Sequence, residues 1–341
     1  MIAPYIRLYA LGAIVFLVLL VVLSIVLAGA NPVSLVWDVL QRALFTRAGL
    51  IEALLRTIPL TITGLGIALA FRARVFNIGM DGQLIAGGVA AVALAPLLPA
   101  GPVGLLLFLV AGLLGGAFWG GIAGEIKARF GGNEIITTIM LNYVAAQILS
   151  WLVRGPMQEA MGIIPRSGPI DASLRLPVLF QGTRIHAGIL IAAVAVIGVT
   201  VLMKRTRFGF KLSVVGASEH AAQYAGIRPG AIASAALALS GALAGLAGAV
   251  EIAGPYGRLQ EGFAADFGIG AIAVALLARL NPLFVPVSAF GFSLLYSGLG
   301  SVARKGMVPF PLLNIVEAAI ILIFLAASVV AARSKGVEAD G

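Results

Sequence analysis

The chain has 341 residues, of which 60% are hydrophobic and only 11% charged, with a mean hydropathy of +1.07. A soluble chain carries about 25% charged residues, so these proportions exclude a water-soluble enzyme, a disordered tail and a nucleic-acid-binding domain. The net charge of +9 does not change that, because Lys and Arg are scattered between apolar runs and form no stripe that could track a phosphate backbone.

A bilayer-spanning helix needs about 20 mostly apolar residues. Ten segments are candidates: Leu8–Ala28, Ala53–Phe71, Gln83–Leu98, Val103–Ile122, Ile135–Val153, Ala187–Met203, Ala231–Ile252, Phe267–Leu280, Leu283–Gly300 and Leu312–Ala332. The fold class is therefore all-α, a polytopic membrane helix bundle forming one domain over 1–341. The first run is longer than a signal-peptide core of about 7–15 residues. It is read as an uncleaved span, although Ala28-Gly29-Ala30 looks like a cleavage site. The eighth is short for a crossing and reads as a broken or re-entrant piece.

Cytoplasmic loops favour Lys and Arg. With the N-terminus inside, Arg7, Arg72, Arg74, Lys127, Arg129, Lys204, Arg205, Arg207, Lys211, Arg228, Arg279, Arg333 and Lys335 fall in the cytoplasm. Arg42, Arg47, Arg154, Arg166, Arg175, Arg184, Arg258, Arg304 and Lys305 fall outside. The larger inside set places both termini in the cytoplasm. It also makes 154–186 a long extracytoplasmic loop and 204–230 a cytoplasmic one.

Glycines recur every fourth residue at Gly112, Gly116, Gly120 and Gly124, and again at Gly241 and Gly245, with Gly248 following. Small residues at that spacing let helix backbones approach closely, so these positions predict packing and carry no chemistry. Polar groups at the edges of apolar runs say more. Phe76-Asn77-Ile78-Gly79-Met80-Asp81-Gly82-Gln83 should leave a helix poorly formed at its start. Irregular backbone at membrane depth is tolerated where it is buried or lines a cavity. Two readings stay open there, a transport path or a turn with Asp81 satisfying the first helical amides.

In Asn133-Glu134-Ile135-Ile136-Thr137-Thr138-Ile139-Met140-Leu141-Asn142-Tyr143, Asn133 reads as an N-cap with Glu134 favourable beside it. Thr138 and Asn142 share one helical face and can bond across helices. The candidate path residues are Asn77, Asp81, Gln83, Glu134, Thr138 and Asn142. Arg56 and Glu317 are further charges inside apolar runs, Arg56 with Glu52 four residues before it as a partner.

A faint internal repeat relates Phe76–Asn142 to Phe267–Ala326, the latter through Gly268, Gly270, Asn281-Pro282, Gly298, Gly300, Arg304-Lys305 and Asn314. In this topology the two units enter the membrane from opposite sides, an inverted repeat of the kind that brackets transport paths.

Between the sixth and seventh spans, Ser218 is a good N-cap and Ala221, Ala222 and Ala225 favour a helix that Gly226 ends and Pro229 cannot continue. Such a short, small-residue helix reads as a docking knob for a partner protein. With no cysteine there is no disulfide or thiolate metal site. His186 and His220 lie on different loops, which leaves no metal site or Ser-His-Asp centre. No Walker A pattern occurs, so the chain binds no ATP itself.

These segments resemble the permease subunits of bacterial ATP-binding-cassette importers, in the group shared by branched-chain amino acid, ribose and nucleoside systems. Three stretches carry the likeness, which is closest to the nucleoside or simple-sugar branch: Phe76–Gln83, Asn133–Tyr143 and Gly216–Ile227. Asp81 stands where that branch more often has Glu. The resemblance implies a multi-pass permease of the bacterial inner membrane, paired with a second permease, homologous or identical. ATP and magnesium would sit on partner ATPase subunits, with solute delivered by an extracytoplasmic binding protein and no cofactor on this chain. It makes Gly216, Ser218, Glu219, Ala221, Ala222, Tyr224, Ala225, Gly226 and Ile227 the ATPase-coupling element. From the residues alone an ion-coupled secondary transporter is the alternative, with Asp81, Glu134, Glu251 and Glu317 as embedded carboxylates. A membrane enzyme finds no acid–base pair or metal cluster to work with.

Overall fold

The computed structural model describes residues 3–160, 162–264 and 267–306, with scattered positions between 308 and 326. Regular structure among them is helical. In chain order the helices are α1 (Ala3–Leu27), α2 (Pro32–Phe45), α3 (Arg47–Arg72), α4 (Met80–Leu94), α5 (Pro102–Phe130) and α6 (Glu134–Arg154). They continue as α7 (Gly188–Arg205), α8 (Arg207–Ala217), α9 (Glu219–Tyr224), α10 (Pro229–Glu251), α11 (Phe267–Leu277) and α12 (Val285–Arg304). A π-helical turn, Ile252–Tyr256, follows α10 directly.

Among the described residues seven helices are long and apolar enough to cross a membrane, or eight if α1 and α2 count as one broken span. The span expected at Phe267–Leu280 is the 11-residue α11, too short to cross alone. It stops because Arg279 and Leu280 take φ values of 51° and 56°, where a helix cannot continue. The tenth span, Leu312–Ala332, lies largely outside the described residues, as do Asn314, Glu317, Arg333 and Lys335.

Two helices were not expected. In α2, Asn31 accepts from the Val33 N–H (2.9 Å), Pro32 opens the helix, and the chain turns by 94° from α1. Its apolar residues alternate with Ser34, Asp38, Gln41 and Arg42, so no continuous run announces it. In α8, Thr206 accepts from the Gly209 N–H (3.1 Å).

The chain forms two compact units, residues 1–53 with 291–341, and residues 54–290. In the first, Ile25, Leu35, Val39, Leu299, Val302 and Ala303 build an apolar core. Arg304 there grips Glu52 through both guanidinium nitrogens (3.1 and 2.8 Å).

The second unit is organised by α5 and α10, with α4 packed against both. The spaced glycines meet there backbone to backbone. A β-carbon on Gly116 would collide with the Gly241 carbonyl, one on Gly245 with the Gly112 carbonyl, and one on Gly248 with the Leu84 carbonyl. The expected close packing is realised between these two helices and α4. At the far end of α3, Leu69, Ala73 and Val75 close a second core with Leu212, Val215, Ala222 and Leu237.

Candidate functional site

The chain is irregular from Val75 to Gly79, and α4 begins at Met80. Buried irregular backbone needs partners for its polar groups, and the polar residues supply them. Asn77 and Gln83, both fully buried, form a reciprocal amide pair: Asn77 Nδ2 donates to Gln83 Oε1 (2.8 Å) and Gln83 Nε2 to Asn77 Oδ1 (3.0 Å). Asn77 also accepts from the Gly79 N–H and bonds Ser240 of α10 at 2.9 Å. From α6, Asn142 accepts from the Gly82 N–H (2.8 Å) and donates to the Ile78 carbonyl (2.9 Å). Thr138 accepts from the Ile78 N–H (3.3 Å). Glu134 pairs with Lys127 (2.8 Å) and accepts from the Phe76 N–H at 3.5 Å, while Asn133 caps α6 as expected.

Five of the six residues singled out in the sequence, Asn77, Gln83, Glu134, Thr138 and Asn142, meet around the entry of α4. Asp81 stands apart from the other five. The N-cap of α4 is Gly79, with no side-chain capping bond. Asp81 instead reaches across to the first turn of α11, where the Gly268 N–H donates to Oδ1 at 2.7 Å. The starts of α4 and α11 thus meet at one carboxylate, which favours both positive helix ends.

Beside this junction lies a cavity of about 450 Å³ between α4, α6 and residues 261–264. Its polar lining is Asp81, Asn142, Tyr143, Gln147, Ser150 and Glu261, and Ile85 and Leu149 are among its apolar residues. Asn142 lies eight residues into α6, about 12 Å along the axis at 1.5 Å per residue. That places the cavity well inside a hydrocarbon layer about 30 Å thick. Tyr143 and Gln147 are exposed on its open side. Of the six sequence candidates, only Asp81 and Asn142 line it. Tyr143, Gln147, Ser150 and Glu261 were missed. The signal was present, since Asn142, Gln147 and Ser150 interrupt an apolar run at near-helical spacing.

The segment after α10 is stitched to the long loop. The π turn frees the Ala253 and Gly254 carbonyls, which accept from the Leu176 N–H (2.8 Å) and Arg175 Nη2 (2.9 Å). The Gly257 and Leu259 carbonyls accept from Ile170 and Ser167. His186 packs between Gly188 and Gly254, its Nδ1 accepting from the Gly188 N–H at 3.2 Å.

Burial lowers the His186 pKa from 6.5 to about 4, so the folded loop holds it neutral. An unfolded loop would bind a proton below 6.5 that the folded one refuses. Stability is therefore complete above that value and falls as the pH drops toward 4. Amide protection of residues 175–188, corrected for intrinsic exchange, is expected to weaken as the pH falls from 6.5 to about 4, as read by hydrogen exchange. In His186→Phe that pH dependence should vanish.

The Arg56 guanidinium stands 4.9 Å above the Phe267 ring, and its charge acts on the buried Glu251 at the end of α10. Among the described residues no three His, Asp or Glu side chains come together as a metal site would require.

In the α8–α9 piece Ser218 caps α9, accepting from the Ala221 N–H (3.2 Å), and Gly226 takes φ +72° beyond its end. Ser218, Glu219, Ala221, Tyr224, Ala225 and Gly226 are exposed, Tyr224 at 94%, while Gly216 and Ala222 are buried and Ile227 half-buried. A shallow hollow of about 510 Å³, lined by Gln223, Gly226, Ile227, Arg228 and Ala128, adjoins the helix.

The sequence profile described as branched-chain amino acid transport system / permease component matches residues 49–332. The glucose ABC transporter permease protein of Haloferax volcanii is 37% identical over 314 residues, 89% of this chain and 82% of that one. The guanosine ABC transporter permease protein of Bacillus subtilis is 36% identical over 287 residues, 81% and 80% of the two chains. The nucleoside ABC transporter permease protein of Lactococcus lactis is 32% identical over 323 residues, 91% and 88%.

Proposed function

The chain belongs to the branched-chain amino acid transport system permease component family, a multi-pass membrane subunit of an ABC transporter and not an enzyme, and from that premise we propose that it imports a nucleoside or simple sugar. The cavity carries the reading. Carboxylate, amide and hydroxyl groups of Asp81, Glu261, Asn142, Gln147 and Ser150 suit a hydroxyl-rich neutral solute and repel an anion. Relatives named for glucose, guanosine and nucleosides share a sugar moiety among their solutes.

A half-open cavity that holds the carboxylates of Asp81 and Glu261 and the amides of Asn142 and Gln147 is costly to leave facing lipid tails. We take the cavity to be half of the path, completed by a second permease subunit. The meeting of α4 and α11 at Asp81 supports treating them as equivalents in an inverted repeat, with both termini cytoplasmic. Asn77, Gln83, Thr138 and Glu134 then act by holding the entry of α4 in place.

The exposed face of α9, from Ser218 to Gly226, is the coupling surface for an ATPase that carries ATP and magnesium. An extracytoplasmic binding protein delivers the solute. ATP binding shifts the population between the two openings through its different affinity for the two states. Uptake of labelled guanosine, ribose and glucose by vesicles holding the permease pair, ATPase and binding protein tests the assignment. Ala221→Trp should keep the complex assembled and lose solute-dependent uptake. Ala222→Trp, aimed into the core, should lower the amount of folded protein. Uptake of none of these solutes, or full coupling in Ala221→Trp, would overturn the reading.

A further inference from the structure

Two groups of charged side chains join the end of α6 and the residues just beyond it to the segment that follows α10, and Ser150 and Glu261 of the first group line the cavity. Arg154, at the end of α6, binds Glu261 through Nε and Nη2, both at 3.0 Å, and Ser150 donates to the same carboxylate. Just beyond α6, Glu159 is shared by Arg166 and Arg258. The two jaws are held very differently. Residues 253–259 are stitched to the long loop by backbone bonds, and Phe263 is buried at 1% exposure. α6 is lightly packed within this chain, with Thr138, Ala145, Leu149 and Val153 its buried residues, and its bonds to the entry of α4, from Thr138 and Asn142, lie in its first half.

We propose that Arg154, Ser150 and Glu261 form a gate at the extracytoplasmic rim of the cavity, with the 253–264 segment as the fixed jaw and α6 as the moving one. The proposal rests on the reading that the cavity carries solute. Asn142 is the pivot, and the clasp lies twelve residues further along, about 18 Å at 1.5 Å per residue. A gate that opens in each cycle must be cheap to open. Arg154 is 60% exposed and Glu261 34%, so solvent screens the pair and its net worth is small. The buried Asn77–Gln83 pair could not be separated on such terms. Arg154 and Ser150 hold the Glu261 carboxyl below the usual carboxylate range, so the clasp stays charged at any physiological pH. The first carboxylate an arriving hydroxyl-rich solute meets is thus already bound to a hydroxyl, that of Ser150, which the solute can replace.

The chain has no cysteine, so engineered thiols are unique within it. In the assembled transporter, a Gln147→Cys reporter inside the cavity should react faster with a membrane-impermeant thiol reagent when Arg154→Gln or Glu261→Gln is added. The two together should add nothing beyond either one. A labelling rate indifferent to both substitutions overturns the gate. If the unaltered transporter moves no nucleoside or sugar, the solute-path reading fails instead, and the labelling rates still decide whether the clasp controls access.

Discussion

Gly245→Val is expected to leave no folded transporter to assay. The site of α10 nearest to α5 tolerates only hydrogen, because a β-carbon there would strike the Gly112 carbonyl and the Gly116 backbone. Both obstacles are main chain, so no side-chain rotation relieves them. Overpacking a core by a methylene or two costs about 1–3 kcal/mol even where neighbours can adjust. Here relief requires separating two helices along a line of contacts that includes Gly116 with Gly241 and Gly120 with Leu237. Dispersion between close backbones is what holds such helices together in lipid, so separation removes the attraction along the whole line. Gly121→Ala is the control, since its β-carbon would meet Ala238 at an ordinary 3.8 Å. Monodisperse protein after detergent extraction is the measurement. A Gly245→Val chain as abundant and as heat-resistant as the parent would contradict the close approach.

That contact was legible because a four-residue glycine period has one physical use in a membrane helix. The caps at Asn133 and Ser218 were legible for a similar reason, each being a local bond between a side chain and an amide two or three residues on. The cross-helix bonding of Thr138 and Asn142 followed from their shared face. What could not be read was which distant backbone each polar group would serve. Asp81 looked like a cap for its own helix and serves α11, 187 residues away in sequence. Local spacing proposes partners, but long-range packing chooses among them. The helix α2 escaped because continuous hydropathy finds spans and not amphipathic pieces. On α9 the alanines looked alike in sequence, and only the fold separates Ala221, which faces out, from Ala222, which is core.

Asp81→Ala should stop uptake while leaving the permease in the membrane. The carboxylate accepts a 2.7 Å bond from Gly268 at the open end of α11 and borders the cavity on its other side. Removing it strands a polar N–H, at a cost of about 1–3 kcal/mol, and takes an anion from a helix N-terminus, worth about 0.3–1 kcal/mol or somewhat more when buried. These sums would displace the start of α11 without unfolding a bundle held mainly by α5 and α10. Asp81→Asn keeps an acceptor and loses the charge, so it should fall between parent and alanine. Asp81→Glu keeps both, and its added methylene can extend toward the cavity, so it should retain most uptake. The order Glu, Asn, Ala in initial uptake rate, at equal amounts of assembled complex, is the observable. A rate that tracks side-chain volume alone would mean that Asp81 fills space there. A normal rate in Asp81→Ala would remove it both from the path and from the start of α11.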